Sequence, residues 1–354
     1  MSGAGATRMR REIAQVPRAV ERVIGAAPDE LRDVADAIRR ADPRWIMIAG
    51  RGTSDHAAVY AQYLFETHLG LPTGLVKPSV TTIYGAELAW RDGLVIAISQ
   101  SGRSPDVVAV IDAARRAGSL TVAITNERGS PLASTADWSL PLHAGRELAV
   151  PATKTYVTEL AVVAALVSAL KPSAHDLSEG LASLPDALGA TLSQTVDWLD
   201  GAGEQAVRDL AAADRALLVS RGYNLATALE LALKLKETCG LFAEAYSTAD
   251  FAHGPLVLAQ PGVPTIAIRP DGEMGALVDE TLRGVVERGG GTTVIGGTEA
   301  ADMPGALALT HTLPESLTPM LYVLPGQLLV EATARRRGIN PDAPIGLGKV
   351  TLTR

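Results

Sequence analysis

Cysteine is almost absent, since the 354 residues contain only Cys239. An intrachain disulfide is thereby excluded, and no grouping of cysteine and histidine has metal-ligand spacing, so a reducing, cytoplasmic setting without structural zinc is expected. Aromatic residues are scarce at 4%, which leaves alanine, valine, leucine and isoleucine to fill the interior. Positive charge is not in excess. The formal net charge of −7 gives a nucleic-acid partner no electrostatic footing, and any anionic ligand must be attracted locally. Long apolar runs are missing as well. The most apolar helical stretch, Leu160 to Leu170, is far too short to span a membrane. The opening Met-Ser-Gly-Ala-Gly-Ala-Thr-Arg-Met-Arg-Arg-Glu12 turns charged before a signal-peptide core can form. Neither nucleic acid nor membrane is expected as a partner.

The length exceeds one compact core of ordinary size, so two domains are the default. Residues 8–41 have helical spacing and Pro43 closes them, which makes 1–43 a helical lead-in. Strand signals follow at Trp45–Ala49, Gly74–Lys77, Leu94–Ile98, Leu120–Thr125 and Trp138–Leu140, with helices at about Asp55–His68, Pro105–Ala117 and Lys154–Leu170. Alternating strands and helices imply a parallel sheet covered on both faces. The polar, interrupted stretch 172–213 reads as a helical connector between a first domain at 44–171 and a second at 214–354.

The second domain restarts the pattern of the first. Ala216–Ser220 is a strand, Arg221-Gly222 a turn and Asn224–Cys239 a helix. Arg51-Gly52 matches Arg221-Gly222, and Ile96-Ala-Ile98 with Gly102 matches Ile266-Ala-Ile268 with Gly272, both at an offset of 170 residues. One offset shared by two separated motifs identifies two copies of one α/β unit. The expected fold class is therefore α/β, with two tandem doubly wound parallel-sheet domains.

The copies differ in their turns. In the first, the apolar strand Leu94–Ile98 runs into Ser99-Gln-Ser-Gly-Arg-Ser-Pro105, where Ser104 suits an N-cap and Pro105 the first helical position. Hydroxyls beside the free N–H groups of a helix start form an anion seat, although serine and glycine also occur in such turns for capping alone. The second copy has Arg269-Pro-Asp271 there and lacks the hydroxyls. It is a poor seat for phosphate.

The second copy's helix carries charge instead. Glu230, Lys234 and Glu237 stand at i, i+4 and i+7, on one face of Ala228–Glu237. A solvated ladder of ion pairs is the common form of such a pattern. The surrounding leucine and alanine argue instead for burial, where an acid and an ammonium acquire shifted pKa values suited to proton transfer. His253 is followed by Gly254-Pro255, which fixes a rigid turn around the imidazole. Lys349 lies in a terminal stretch apolar enough to dock.

Taken in order, Gly52-Thr-Ser54, Ser99-Gln-Ser-Gly102, Thr153-Lys154, the helix ending Leu-Lys-Leu-Lys-Glu237, Glu244-Ala-Tyr246, His253-Gly-Pro255 and Lys349 resemble the sugar isomerase (SIS) family. The likeness runs from about residue 10 to the C-terminus. It is greatest to the isomerase half of glucosamine-6-phosphate synthase and to stand-alone aminosugar-6-phosphate deaminases. It implies tandem SIS domains of flavodoxin-like type, with the C-terminal tail closing the active site. Thr53, Ser54, Ser99, Gln100, Ser101 and Ser104 match phosphate-binding positions, and Val150 and Ala152 match sugar-contacting ones. Glu237 matches the base that moves a proton between sugar carbons and His253 the ring-opening residue. Lys349 matches the lysine that meets the open-chain carbonyl, and Lys234 a lysine beside the base. The family's histidine comes from the partner subunit, so a homodimer is implied, and no metal or organic cofactor is required.

Two departures bear on the substrate. Ala152 replaces a serine and Asp250 a glutamate. The synthase also begins with a glutaminase domain whose nucleophile is an N-terminal cysteine, and the only cysteine here is internal, so glutamine-fed synthesis is not expected. The leading expectation is conversion of glucosamine 6-phosphate, or a close relative, to fructose 6-phosphate and ammonia. The alternatives are a lyase that dehydrates N-acetylglucosamine 6-phosphate, with Ala152 admitting the acetyl group, and a non-catalytic sugar-phosphate sensor.

Overall fold

A computed structural model describes residues 6–26 and 28–349 of the chain. The expectations placed on the first five residues and on the last five fall outside that range. The chain divides into two compact units. One comprises Arg18–Glu147 and Lys154–Ala182 with the described residues from Gly348; the other comprises Ser183–Leu347 with Leu148–Thr153 and the N-terminal stretch as far as Pro17.

The first unit is built on strands β1 (Trp45–Ala49), β2 (Thr73–Leu75), β3 (Gly93–Ile98), β4 (Leu120–Thr125) and β5 (Trp138–Pro141). They pair in parallel in the order β2-β1-β3-β4-β5. All six residues of β3 are buried, as the continuous apolar run requires of a central strand covered on both faces. Helices Thr53–Leu69, Pro105–Arg116 and Lys154–Leu170 supply the covering. Val95, Ala97 and Ala123 pack against Val107, Val110 and Ile111 in one core cluster.

The second unit repeats the plan with β6 (Arg215–Ser220), β7 (Phe242–Ser247), β8 (Pro264–Arg269), β9 (Gly291–Gly296) and β10 (Leu307–Ala308). These strands are also parallel, in the order β10-β9-β8-β6-β7. Counted from the start of each unit, both sheets run 2-1-3-4-5, the flavodoxin-like order. The tandem repeat read from the 170-residue offset is thus a repeat of topology, and the α/β doubly wound fold class stands.

Two elements differ from the sequence reading. The stretch after Pro172 is helical as read, but its first part is not broken: His175–Leu199 forms one helix of 25 residues with Pro185 inside it, and Gly203–Ala212 forms a second. Leu177, Leu181, Leu184, Leu188 and Leu192 recur at helical spacing and are all buried, so the burial of one apolar face outweighs the proline. The expected helix Asn224–Cys239 comprises three segments: a 3-10 turn at Gly222–Asn224, an α-helix at Leu225–Lys234 and a π-helical turn at Leu235–Cys239. Side-chain periodicity cannot announce such a change of winding, because the apolar pattern continues through it.

Candidate active site

In a 2-1-3-4-5 sheet the crossovers leave first strand and third strand in opposite directions, opening a crevice at their C-terminal ends. In the first unit β1 and β3 are direct neighbours, with Ala49 opposite Ala97. The turns after them, Gly50–Ser54 and Ser99–Ser104, therefore share that edge. Gly50 is needed for closeness, since a Cβ there would run into the Ser54 carbonyl, 2.6 Å away. Gly102 is needed for conformation and space, having φ +60° and the Ser130 hydroxyl where a side chain would stand.

The hydroxyls of this second turn are held as acceptors. Ser99 Oγ accepts the Gly102 N–H at 3.2 Å and Ser101 Oγ accepts the Arg103 N–H at 3.3 Å. Ser104 is the N-cap of Pro105–Arg116 and makes no side-chain cap bond. A hydroxyl that only accepts retains its proton for donation. Among the described residues, three O–H donors consequently stand unspent at the start of a helix, beside the half-buried side chain of Gln100. The Gln100 carbonyl is fixed by the Asn126 N–H at 3.1 Å, so the turn cannot easily spread.

The neighbouring turn is occupied differently. Ser54 donates its hydroxyl to Glu159 at 2.8 Å and is buried, so its proton is directed toward the protein interior. Thr53, the first residue of its helix, is half-buried. Arg51 clasps the fully buried Asp106 through two nitrogens, each at 2.7 Å. That pair removes the negative charge of Asp106 from the first turn of helix Pro105–Arg116. Motif reading missed the Glu159 and Asp106 contacts, because both partners are more than fifty residues from the groups they hold.

The corresponding turn of the second unit is filled by the chain's own carboxylates. Asp271 accepts the N–H groups of Thr298 and Glu299, at 3.1 and 3.0 Å. Glu299 accepts the Gly272 N–H at 3.1 Å, at the start of helix Glu273–Glu287, and also pairs with Arg269 at 3.1 Å. Arg269 is buried and grips Asp279 with two nitrogens at 2.9 Å. Its pKa is raised chiefly by those hydrogen bonds to Asp279. At this helix start Glu299 therefore occupies the Gly272 N–H, and the surrounding carboxylates make the turn a poor seat for a phosphate.

The charge ladder of the second unit is buried, against the commoner expectation of a solvated face. Glu230 has no exposed side-chain surface and Lys234 only 1%, while Glu237 is 26% exposed. The Lys234 ammonium lies 3.4 Å from Glu230 and 2.5 Å from Glu237. Burial pulls the Lys234 pKa down, but the two carboxylates outweigh it and the net displacement is upward. The lysine is therefore a cation that fixes the Glu237 carboxylate. The π-turn carries Glu237 and ends at Gly240, whose φ of 64° reverses the chain into β7. Glu244 and Tyr246 lie on that strand.

The other expected site residues are dispersed over the two units. His253 is exposed and follows helix Thr248–Ala252, in which the Ser247 cap binds Asp250. Val150 and Ala152 are half-buried in the Leu148–Thr153 segment of the second unit, where the Val150 N–H donates to the Asp342 carbonyl at 3.0 Å. Lys349 belongs to the first unit and pairs with Glu147 at 2.7 Å. Among the described residues no group of three or more histidine, cysteine, aspartate or glutamate side chains is arranged to hold a metal ion, and no helix is long and apolar enough to cross a membrane.

The SIS domain model matches residues 41–169 and again 209–332. The chain is 34% identical over 351 residues to the glutamine–fructose-6-phosphate aminotransferase (isomerizing) of Pyrobaculum aerophilum, covering 96% of this chain and 56% of that protein. It thus spans about half the length of the curated relatives it matches. Among solved structures, a candidate phosphosugar isomerase from Silicibacter pomeroyi superposes with a TM-score of 0.85 at 36% identity, over 95% of this chain and all of the other. A glucosamine-6-phosphate deaminase from Thermotoga maritima superposes with a TM-score of 0.77 at 23% identity, over 98% and 100% of the two chains, a likeness of fold.

Proposed function

The chain belongs to the SIS domain family, and from that premise we propose that it is a sugar-phosphate isomerase acting as an aminosugar-6-phosphate deaminase. The reaction is conversion of glucosamine 6-phosphate, or a close relative, to fructose 6-phosphate and ammonia. The observation that carries this reading is the buried Glu230–Lys234–Glu237 ladder, which ends in the one partly exposed carboxylate. A structural ion-pair network has no need of an exposed end, whereas a base that moves a carbon-bound proton does.

The roles follow from the chemistry each group can perform. Ser99, Ser101 and Ser104 donate to the phosphate, with Gln100 beside them. His253 passes a proton as the sugar ring opens. Glu237 removes the proton on C2 of the open-chain amino aldose, giving an enaminol, and returns it at C1. The product is a C2 imine, which water hydrolyses to the ketose with release of ammonia. Lys349 stabilises negative charge developing on oxygen, while Lys234 holds the Glu237 carboxylate in place. The exposure of His253 and the family likeness support a homodimer in which this histidine serves the partner's site.

The test is to incubate the purified protein with glucosamine 6-phosphate and assay ammonia and fructose 6-phosphate. Turnover that falls at least about 100-fold in Glu237→Gln is the expected result. Formation of neither product above the level of that variant would overturn the reading. Mixing the inactive Glu237→Gln and His253→Asn proteins should restore activity through hybrid dimers, and absence of any recovery counts against donation of the histidine across subunits.

A further inference from the structure

Glu147 lies in the loop between β5 and helix Lys154–Leu170, and nothing in the sequence motifs singles it out. Its side chain has no exposed surface. The carboxylate accepts the Thr155 N–H at 3.2 Å and the Thr155 hydroxyl at 2.6 Å. Both donors belong to the first turn of a helix that is buried along nearly its whole length. A carboxylate at that position is favoured as an anion by the free N–H groups and the dipole of the helix start. It is also pinned in orientation, because two donors on one rigid residue leave it little freedom.

The carboxylate also accepts the Lys349 ammonium at 2.7 Å. Among the described residues this is the only hydrogen bond or ion pair of the Lys349 side chain, which is 25% exposed. The chain leading to it is loosely packed, with Ile345 fully exposed, Leu347 46% exposed and Gly346 at φ 82°. The ion pair accordingly ties Lys349 to the body of the first unit.

We propose that Glu147 is a positioning residue: it holds the Lys349 ammonium in one place, through a carboxylate anchored by Thr155. The catalytic part of this proposal rests on the reading that Lys349 meets the sugar carbonyl. The anchoring part does not. A neutral amide at position 147 keeps the shape and an acceptor oxygen for Thr155 but loses the charge that retains the lysine.

The experiment pairs two readouts on Glu147→Gln, Glu147→Asp and Lys349→Met. The first is limited trypsin digestion at the Lys349–Val350 bond, followed by intact mass. The wild-type bond should be slow to cut and the Glu147→Gln bond about tenfold faster, with unchanged circular dichroism, since a clasped lysine cannot enter the protease. The second is steady-state kinetics with glucosamine 6-phosphate. Glu147→Gln should lose about tenfold or more in kcat, as Lys349→Met does, with KM little changed and partial recovery in Glu147→Asp. Equal cleavage rates in wild type and Glu147→Gln overturn the anchoring. Full kcat in Glu147→Gln beside a crippled Lys349→Met overturns the positioning role. Faster cleavage with no turnover by any form sustains the anchor and refutes the functional reading alone.

Discussion

Replacing Lys234 by methionine keeps the length of the side chain and removes its charge, and the consequence for stability follows from the burial. Glu230 would remain as a carboxylate with no exposed side-chain surface, having lost the ammonium 3.4 Å away. Removing one partner of a buried pair costs about 3–5 kcal/mol, since the remaining carboxylate loses its counter-charge in a medium that solvates it poorly. The Glu237 pair contributes less, because 26% of that side chain reaches water. Set against a typical total stability of about 5–15 kcal/mol, the loss is large. The double variant Glu230→Gln, Lys234→Met removes both buried charges and should recover most of it. Urea unfolding followed by circular dichroism measures both proteins. The pH dependence adds a sign. The folded-state pKa of Lys234 lies above its ordinary value, as the carboxylates outweigh burial, so its contribution is complete below the unfolded pKa of about 10.4 and is lost only as pH rises through the folded value. The advantage of wild type over Lys234→Met should then be constant from neutral pH to about pH 9. A cost under about 1 kcal/mol for the single variant, or no recovery in the double, would refute the burial argument.

Other predictions follow from single sites. Burial pushes the Cys239 thiol up to about 12, so native protein should resist a thiol reagent at pH 8 and react stoichiometrically once unfolded; rapid native labelling would contradict this. Gly102→Ala must place a side chain at φ +60° against Ser130, and a loss of about 1–3 kcal/mol with weaker phosphate binding is expected from denaturation and product-inhibition measurements. Leu188→Ala removes fully buried surface from helix His175–Leu199 and should cost about 2–5 kcal/mol in urea unfolding, whereas an interrupted, solvated connector would lose almost nothing.

The strand positions of the first unit, the repeat and the hydroxyl turn were legible because each depends on residues close in the chain. A fully apolar run such as Leu94–Ile98 can be stable only as a covered strand, and a shared offset of 170 residues needs no coordinates to be seen. The residues that complete the sites are different in kind. Ser54 with Glu159, Arg51 with Asp106, Arg269 with Asp279 and Glu299, and Lys349 with Glu147 are partnerships set by packing. Composition gives no sign of which carboxylate will be buried beside which cation.

The ladder of Glu230, Lys234 and Glu237 shows where the division falls. Helical spacing placed the three charges on one face, but that pattern is equally compatible with a solvated surface and with a buried triad. Only the tertiary structure decided that Glu230 and Lys234 are enclosed while Glu237 emerges. The physical reason is that the energy of a charge depends on the solvent it has lost, and that loss is determined by neighbours distant in sequence.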